Sequence, residues 1–162
     1  MPVNPYAHQL GQRDPLEIIA RTPSELERQA KRLGPEGLER SYASGKWPAR
    51  VILSHLADTE MAFAFRLRQA LAEPHHVIQP FDQDAWAKPY SFFDAQAALD
   101  TFSAVRRWNV ALLHTLSPEV FSKPLSHPER GEMTFQTLVE TMAGHDLNHL
   151  HQLEAIESRP AA

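Results

Sequence analysis

Apolar residues recur every three or four positions over four stretches of the chain, which is the spacing of an amphipathic helix. The prolines leave three long gaps without proline, at 49–73, 90–117 and 129–159. Because proline is excluded from helix interiors, each gap predicts one helix. A shorter apolar repeat precedes the gaps and predicts a first helix from about Pro15 to Leu33.

Residues that start or stop helices set the expected boundaries. The first repeat contains two start signals, DPLE at 14–17 and TPSE at 22–25, so it is either one kinked helix or two short helices in line. Gly34 and Pro35 are expected to end it. The expected starts of the other three helices are Pro48, Ser91 and Thr134.

Four helical segments of this length predict an all-α fold, a four-helix bundle. The connections are long, at about 15–18 residues against roughly two to eight in most bundles. They predict crossovers or a loop that covers a pocket, and no strand pattern longer than a few residues is present. We expect a single domain over 1–162, with a core of about 14–157, a flexible N-terminal arm at 1–13 and a C-terminal tail at 158–162.

The amino-acid composition limits the possible partners and metal ligands more than it limits the possible folds. The 162 residues are 43% hydrophobic and 22% charged, as in ordinary globular domains. The net charge is −4 and no long basic run occurs, which argues against a nucleic-acid partner. There is no cysteine, so a metal ion must be held by imidazole, carboxylate or water. The absence of a signal sequence and of a long apolar run favours a cytoplasmic protein without a membrane span.

Histidines interrupt two of the apolar helix faces. In AGHDLNHLHQLEAI at 143–156, His145 and His149 are four residues apart and project from one side of a helix. Such a pair can share one metal ion, and a catalytic metal usually has a third protein ligand and an open position. His55, on the apolar face of the second helix, is the expected third ligand. Taken alone, His145 and His149 also fit a chance pair on an exposed helix, and His55 also fits a hydrogen-bonded core histidine. The combination of the three favours a metal site.

Two carboxylates lie close to these histidines in sequence. Asp58 is one turn from His55 and Asp146 is adjacent to His145, so either is a candidate to accept a ligand N–H or to transfer protons. Other metal motifs fit worse, because a zincin needs glutamate at the position of Asp146 and a di-iron bundle needs two Glu-x-x-His motifs. We expect six histidines not to be ligands: His8, His75, His76, His114, His127 and His151.

Arg66 and Asn109 are candidate pocket residues. Arg66 lies three helical turns after His55. It either binds an anionic substrate group or, as we favour, pairs with a nearby carboxylate. Asn109 interrupts the apolar stripe of the third helix, and either faces the site or fixes the register of the helix. The candidate carboxylates are Glu60, Asp82 and Asp84, and the stripe is Ala98, Phe102, Val105, Asn109, Leu112 and Leu116.

Over roughly 14–157, the chain resembles the DinB/YfiT family of small bacterial four-helix proteins. The segments that carry the resemblance are GKWPARVILSHLADTEMAFAFRLRQALAE, QPFDQDAWA and PERGEMTFQTLVETMAGHDLNHLHQLEAI. The opening segment DPLEIIARTPSELERQAKRLGPEGL is similar but less specific. The main departure is Asn148, where many relatives have histidine.

The resemblance implies a bundle with a crossover, frequently a homodimer, and a divalent metal ion. Its three metal ligands correspond to His55, His145 and His149. It further implies one ion per chain, with nickel or zinc expected and iron or manganese as alternatives.

Three functions fit such a site. In each of them the protein binds a small-molecule substrate or only the metal ion. We expect a metal-dependent hydrolase acting through metal-bound water. The first alternative transfers a low-molecular-weight thiol, of the bacillithiol, mycothiol or glutathione type, to an electrophile. The second is a non-catalytic metal-binding stress-response protein. A structural metal site usually has four protein ligands, and the sequence offers three, which favours an enzyme.

Overall fold

Four long helices form the frame of the molecule in the computed structural model, which describes residues 3–159. The helices are α1 Ala7–Leu10, α2 Pro15–Leu38, α3 Ala49–Ala72, α4 Gln83–Ala87, α5 Ala95–Leu113 and α6 Phe135–Glu157, and the strands are β1 His76–Val77, β2 Pro124–His127 and β3 Gly131–Thr134. The long helices α2, α3, α5 and α6 pack together, which confirms the predicted four-helix bundle. Within the described range, no helix combines the length and apolar character that crossing a membrane requires.

The first long helix, α2, continues through Pro23, so the single helix is the observed alternative. Asp14 caps its start by accepting a hydrogen bond from the Leu16 N–H at 2.8 Å. The helix breaks at Gly34, as predicted, because a φ of 61° lies in the left-handed region that glycine tolerates. One further turn then carries the helix to Leu38.

The starts of the other long helices agree with the sequence except at α5. Helix α3 begins directly after Pro48, and the Thr134 hydroxyl caps α6 by accepting from the N–H three residues later, at 3.3 Å. Helix α5 begins at Ala95 instead of near Ser91, because Asp94 supplies its cap. The residues just before that cap form a single turn of 3-10 helix.

A small three-stranded sheet lies in the connections, and the sequence analysis did not predict it. Strand β1 pairs in parallel with β2, and β2 pairs antiparallel with β3. Ile78, Leu125 and Met133 from these connections are buried in an apolar cluster of the bundle. The strands have four residues or fewer, which is too short for an alternating pattern to stand out in the sequence. The sheet thus extends the core at one end.

Two apolar clusters fill the bundle. A layer of buried polar side chains, contributed by all four long helices, separates one cluster from the other. One cluster includes Phe63 and Leu138, together with the sheet residues. The other includes Leu56 and Leu153. The members of the polar layer on the long helices are Thr22, His55, Thr59, Glu60, Arg106, Asn109, Thr141, His145, Asp146 and His149.

The described part of the N-terminal arm, which was expected to be flexible, packs on α6. Leu10 is buried, and Tyr6 lies against Gly144. A Cβ at Gly144 would lie 2.6 Å from the Tyr6 Cβ, so a side chain there would force the N-terminal segment to move. Residues 1–2 of the predicted arm and 160–162 of the predicted tail lie outside the described residues.

Candidate metal centre

Three histidines from two helices direct ring nitrogens at one another inside the polar layer. His55 comes from α3, and His145 and His149 come from successive turns of α6. The His145 Nε2 lies 3.1 Å from the His55 Nε2 and 3.2 Å from the His149 Nε2. Nitrogens that bind one tetrahedral ion at about 2.0–2.1 Å are about 3.4 Å apart. The structure therefore brings the three predicted ligands to nearly the separation that a shared ion requires.

Burial keeps these imidazoles neutral. It lowers the pKa of His55 to about 3 and the pKa of His149 to about 4, and it holds the pKa of His145 well below its usual value. The neighbouring histidines lower the pKa of His55 and His145 further through their charge. A metal ion binds only the neutral form, because a proton competes for the same nitrogen. At neutral pH all three rings are in the form that binds a metal.

Hydrogen bonds alone leave this cluster unsatisfied. The His149 Nδ1–H donates to the Gln152 Oε1 at 2.8 Å, which leaves a lone pair on the His149 Nε2. The His55 Nδ1 is buried without a hydrogen-bond partner. A neutral imidazole has one N–H, so three facing Nε2 atoms cannot all pair with one another. The donor set fits a divalent ion of the kind that imidazole favours, such as zinc or nickel.

A second buried cluster adjoins the histidines and centres on Arg106 of α5. Its guanidinium donates to Glu60 of α3 at 2.7 and 2.9 Å, and to Asp146 of α6 at 2.5 and 3.0 Å. A fifth hydrogen bond reaches the Ile19 carbonyl of α2 at 3.0 Å. That carbonyl precedes Pro23 by four residues, and proline has no N–H to bond it within the helix. Arg106 thus joins all four long helices.

The charge of Arg106 is fixed by its partners. Burial lowers the pKa of this guanidinium, but the charges of Asp146 and Glu60 outweigh burial and leave the pKa above its usual value. Each of the three side chains is only 1% exposed, so the ion pairs are shielded from water. We call the residues Arg106, Glu60, Asp146 and Asn109 the arginine cluster.

The two carboxylates predicted to serve the histidines have other partners. Asp146 accepts from Arg106 and from the Thr22 hydroxyl, the latter at 2.8 Å. Asp58 accepts from the Tyr90 hydroxyl at 2.8 Å. Neither carboxylate hydrogen-bonds a histidine of the centre. The acceptor role that was expected of them is performed at His149 by Gln152, as described above.

Asn109 belongs to the arginine cluster and does not line the cavities beside the histidines. Its Nδ2 donates to Glu60 at 2.7 Å, and its Oδ1 accepts from Arg68 at 2.8 Å. Of the two roles considered for Asn109, these contacts fit the fixing of helix register. The predicted stripe of α5 was wrong by one residue at two places, because Arg106 and Leu113 are buried, whereas the predicted Val105 and Leu112 are half-buried.

A cavity of about 220 Å³ lies beside the histidines. Its wall includes His55, His145 and Arg66. The ion pair that was favoured for Arg66 is absent among the described residues. Its Nη2 donates instead to the Gln79 carbonyl oxygen at 3.0 Å. Arg66 therefore lies at the cavity without a carboxylate partner.

A second cavity, of about 310 Å³, borders the same centre on the side of His149 and Trp47. Tyr6 and Gln83 line both cavities. The sequence analysis did not select Tyr6, because nothing in the N-terminal pattern shows that it packs on α6. The only signal was Gly144, a residue without a side chain in the middle of a buried helix face.

Comparison with known proteins identifies the family of the chain. The family model described as the DinB superfamily matches residues 18–153. The chain belongs to the DinB superfamily. An Oceanobacillus iheyensis relative named "Putative metal-dependent hydrolase" is 32% identical over 128 residues, which are 78% of this chain and 74% of the relative. A Bacillus mycoides protein of the same name is 28% identical over 145 residues, which are 89% and 84% of the two chains.

Two solved structures share the fold of this DinB-superfamily chain. YfiT from Bacillus subtilis, described as a probable metal-dependent hydrolase with an unusual four-helix bundle topology, has a TM-score of 0.82 at 23% identity, over 88% of this chain and 83% of YfiT. The mycothiol-dependent maleylpyruvate isomerase has a TM-score of 0.66 at 14% identity, over 94% of this chain and 63% of the isomerase.

Proposed function

We propose that this protein is a metal-dependent hydrolase in which His55, His145 and His149 hold one divalent ion. The convergence of three neutral, buried imidazole nitrogens carries the proposal. No fourth His, Asp or Glu side chain joins the group among residues 3–159. A site with three protein ligands is typical of catalytic metals, whereas structural metals usually have four. The relatives named as metal-dependent hydrolases support the same chemistry.

The residues around the histidines have separable roles in this proposal. When bound, the ion would supply Lewis-acid activation of a water or of a substrate atom. Gln152 orients His149 by accepting its Nδ1–H, which directs the Nε2 lone pair inward. Burial raises the pKa of Tyr6, so its hydroxyl stays protonated at neutral pH and can donate a hydrogen bond to a substrate in either cavity. Nickel or zinc is the ion we expect.

A second candidate function is transfer of a low-molecular-weight thiol to an electrophile. The observation that favours it is the presence of two cavities beside the histidines, one lined by His55 and His145 and the other by His149, which offers separate places for two reactants. The chain has no cysteine, so the thiol must come from a second small molecule. The thiol-dependent isomerase with the same fold supports this candidate.

Activity assays on the metal-loaded full chain separate these candidates. Hydrolysis is measured on a panel of small esters and amides, and thiol transfer is measured as thiol-dependent loss of an electrophile. We expect turnover in one panel that requires the metal, disappears in His149→Ala and survives in the control His151→Ala, whose side chain is exposed. A protein that binds the metal but turns over neither panel would be the non-catalytic metal-binding protein.

A further inference from the structure

Two arginines and a further histidine line the 220 Å³ cavity together with His55 and His145. Building on the proposed function, we propose that Arg66, Arg130 and His127 form an anion subsite that binds a carboxylate or phosphate group of the substrate. We call these three residues the anion subsite. It would place a negatively charged small molecule beside His55 and His145.

Arg66 is held in place while most of its donors stay free. Its Nη2 donates to the Gln79 carbonyl at 3.0 Å, and the guanidinium carbon lies 5.4 Å from the Phe81 ring centre and 5.9 Å from that of Phe63. A guanidinium has five N–H donors, and this bond uses one. No carboxylate lies within ion-pair distance of Arg66 in the described part of the chain. The side chain is therefore oriented without being neutralised.

Arg130 reaches the same cavity from the turn between β2 and β3. Its Nε is buried and has no hydrogen-bond partner. Leaving a charged donor buried and unpaired is costly, and an acceptor oxygen of a bound anion would remove that cost. Like Arg66, Arg130 forms no ion pair among residues 3–159. Two unpaired arginines on one wall have the planar donor geometry that binds carboxylate and phosphate oxygens.

His127 adds a third donor. Its Nδ1 accepts a hydrogen bond from the Glu129 backbone N–H at 3.2 Å, which leaves the proton of the neutral ring on Nε2. Burial lowers the pKa of His127, and the charges of Arg130 and Arg66 lower it further, while the charge of Glu129 acts in the opposite direction. Burial and the charge of Arg130 likewise lower the pKa of Arg66 to about 10. An anion between these groups would relieve their mutual repulsion.

One carboxylate, Glu129, also lines this cavity. Its side chain is exposed, and it lies outside ion-pair distance of both Arg66 and Arg130. The two arginines therefore outweigh it and leave the wall positive even without a metal ion. The sequence analysis considered Arg66 as a residue that binds an anionic group, but it did not select Arg130, which is far from Arg66 along the chain and comes from a hairpin turn.

Calorimetric titration with inorganic phosphate and with succinate tests the subsite. The full chain is titrated both free of metal and after metal loading, so that binding to the arginines is separated from binding to the ion. We expect at least about tenfold weaker binding in Arg66→Gln and in Arg130→Gln, because each removes a charged hydrogen bond. The exposed Arg107→Gln should bind as the parent does. Comparison of the two anions shows whether the subsite prefers phosphate or carboxylate.

Several outcomes would overturn the subsite. They are no binding of either anion by the parent protein, unchanged binding in both arginine variants, or an equal loss in Arg107→Gln. Metal content of the same samples separates this failure from that of the proposed function. Arg66→Gln and Arg130→Gln should keep the metal, because neither residue is a ligand. If the parent chain binds the anions but takes up no metal, the anion subsite is supported and the proposed metal centre is contradicted.

Discussion

Two buried polar clusters lie side by side in this bundle and differ in how well their groups are satisfied. In the arginine cluster, every N–H of Arg106 has an acceptor, and Glu60 and Asp146 share its charge. In the histidine centre, ring nitrogens face one another and the His55 Nδ1 has no partner. The two clusters meet at neighbouring residues, His145 and Asp146. A polar cluster whose donors and acceptors are all paired stabilises the fold, whereas a cluster with unpaired nitrogen atoms can bind an ion or a ligand.

The largest effect that this comparison predicts is the loss of stability caused by the substitution Arg106→Met. The change leaves two carboxylates buried without a counter-charge, and we expect the free energy of unfolding to fall by about 3–5 kcal/mol. Urea denaturation measures the change, with the exposed Arg107→Met as a control that should stay within about 0.5 kcal/mol of the parent. A loss below about 1 kcal/mol in Arg106→Met would mean that the arginine cluster does not stabilise the fold.

A combined variant sharpens the same point. If Glu60→Gln and Asp146→Asn are added to Arg106→Met, the buried negative charge disappears. Part of the lost stability should then return, because neutral amides cost less to bury than unpaired carboxylates. No recovery would assign the loss to packing of the arginine side chain instead of to charge.

The next effect is the pH dependence of the metal-free protein. The unfolded chain binds protons at histidine below about pH 6.5, while His55 and His149 in the folded chain do so only near pH 3 and 4. Lowering the pH therefore favours the unfolded state, and we expect a loss on the order of 2 kcal/mol for each of these two histidines between pH 7 and pH 5. Denaturation at a series of pH values measures this loss. Stability that is constant or rises on acidification would contradict the buried neutral histidines.

The smallest effect, and the one of opposite sign, is expected for His55→Leu in metal-free protein. The substitution replaces an imidazole that is buried without a partner at Nδ1 by an apolar side chain of similar size. We expect the free energy of unfolding to stay level or to rise by about 1 kcal/mol, because binding sites are commonly built at a cost in stability. A clear loss of stability, as in Arg106→Met, would place the histidines among the structural residues.

The histidine centre was predictable because its signal is local. His145 and His149 are one helical turn apart, and His55 interrupts an apolar face, so each stands out against a regular pattern. The four helices were predictable for the same reason, since proline and capping residues mark their ends. The exception at the start of α5 arose because Asp94 caps the helix after a separate turn.

The arginine cluster was not predictable from the same pattern. Arg106 is separated from Glu60 by 46 residues and from Asp146 by 40, and its burial makes sense only once these partners are known. An arginine beside an apolar stripe is normally read as the polar edge of a helix, which moved the predicted stripe to Val105. The short strands and the contact of Tyr6 with Gly144 were missed because they too depend on distant partners.

Elemental analysis of the purified chain tests the central claim most directly. The full chain without a tag is measured as purified and after incubation with nickel or zinc and removal of the excess. We predict about one ion per chain, lost in His55→Ala, His145→Ala and His149→Ala and retained in His151→Ala. Absence of bound metal after reconstitution, or its retention in the three variants, would contradict a metal centre at these histidines.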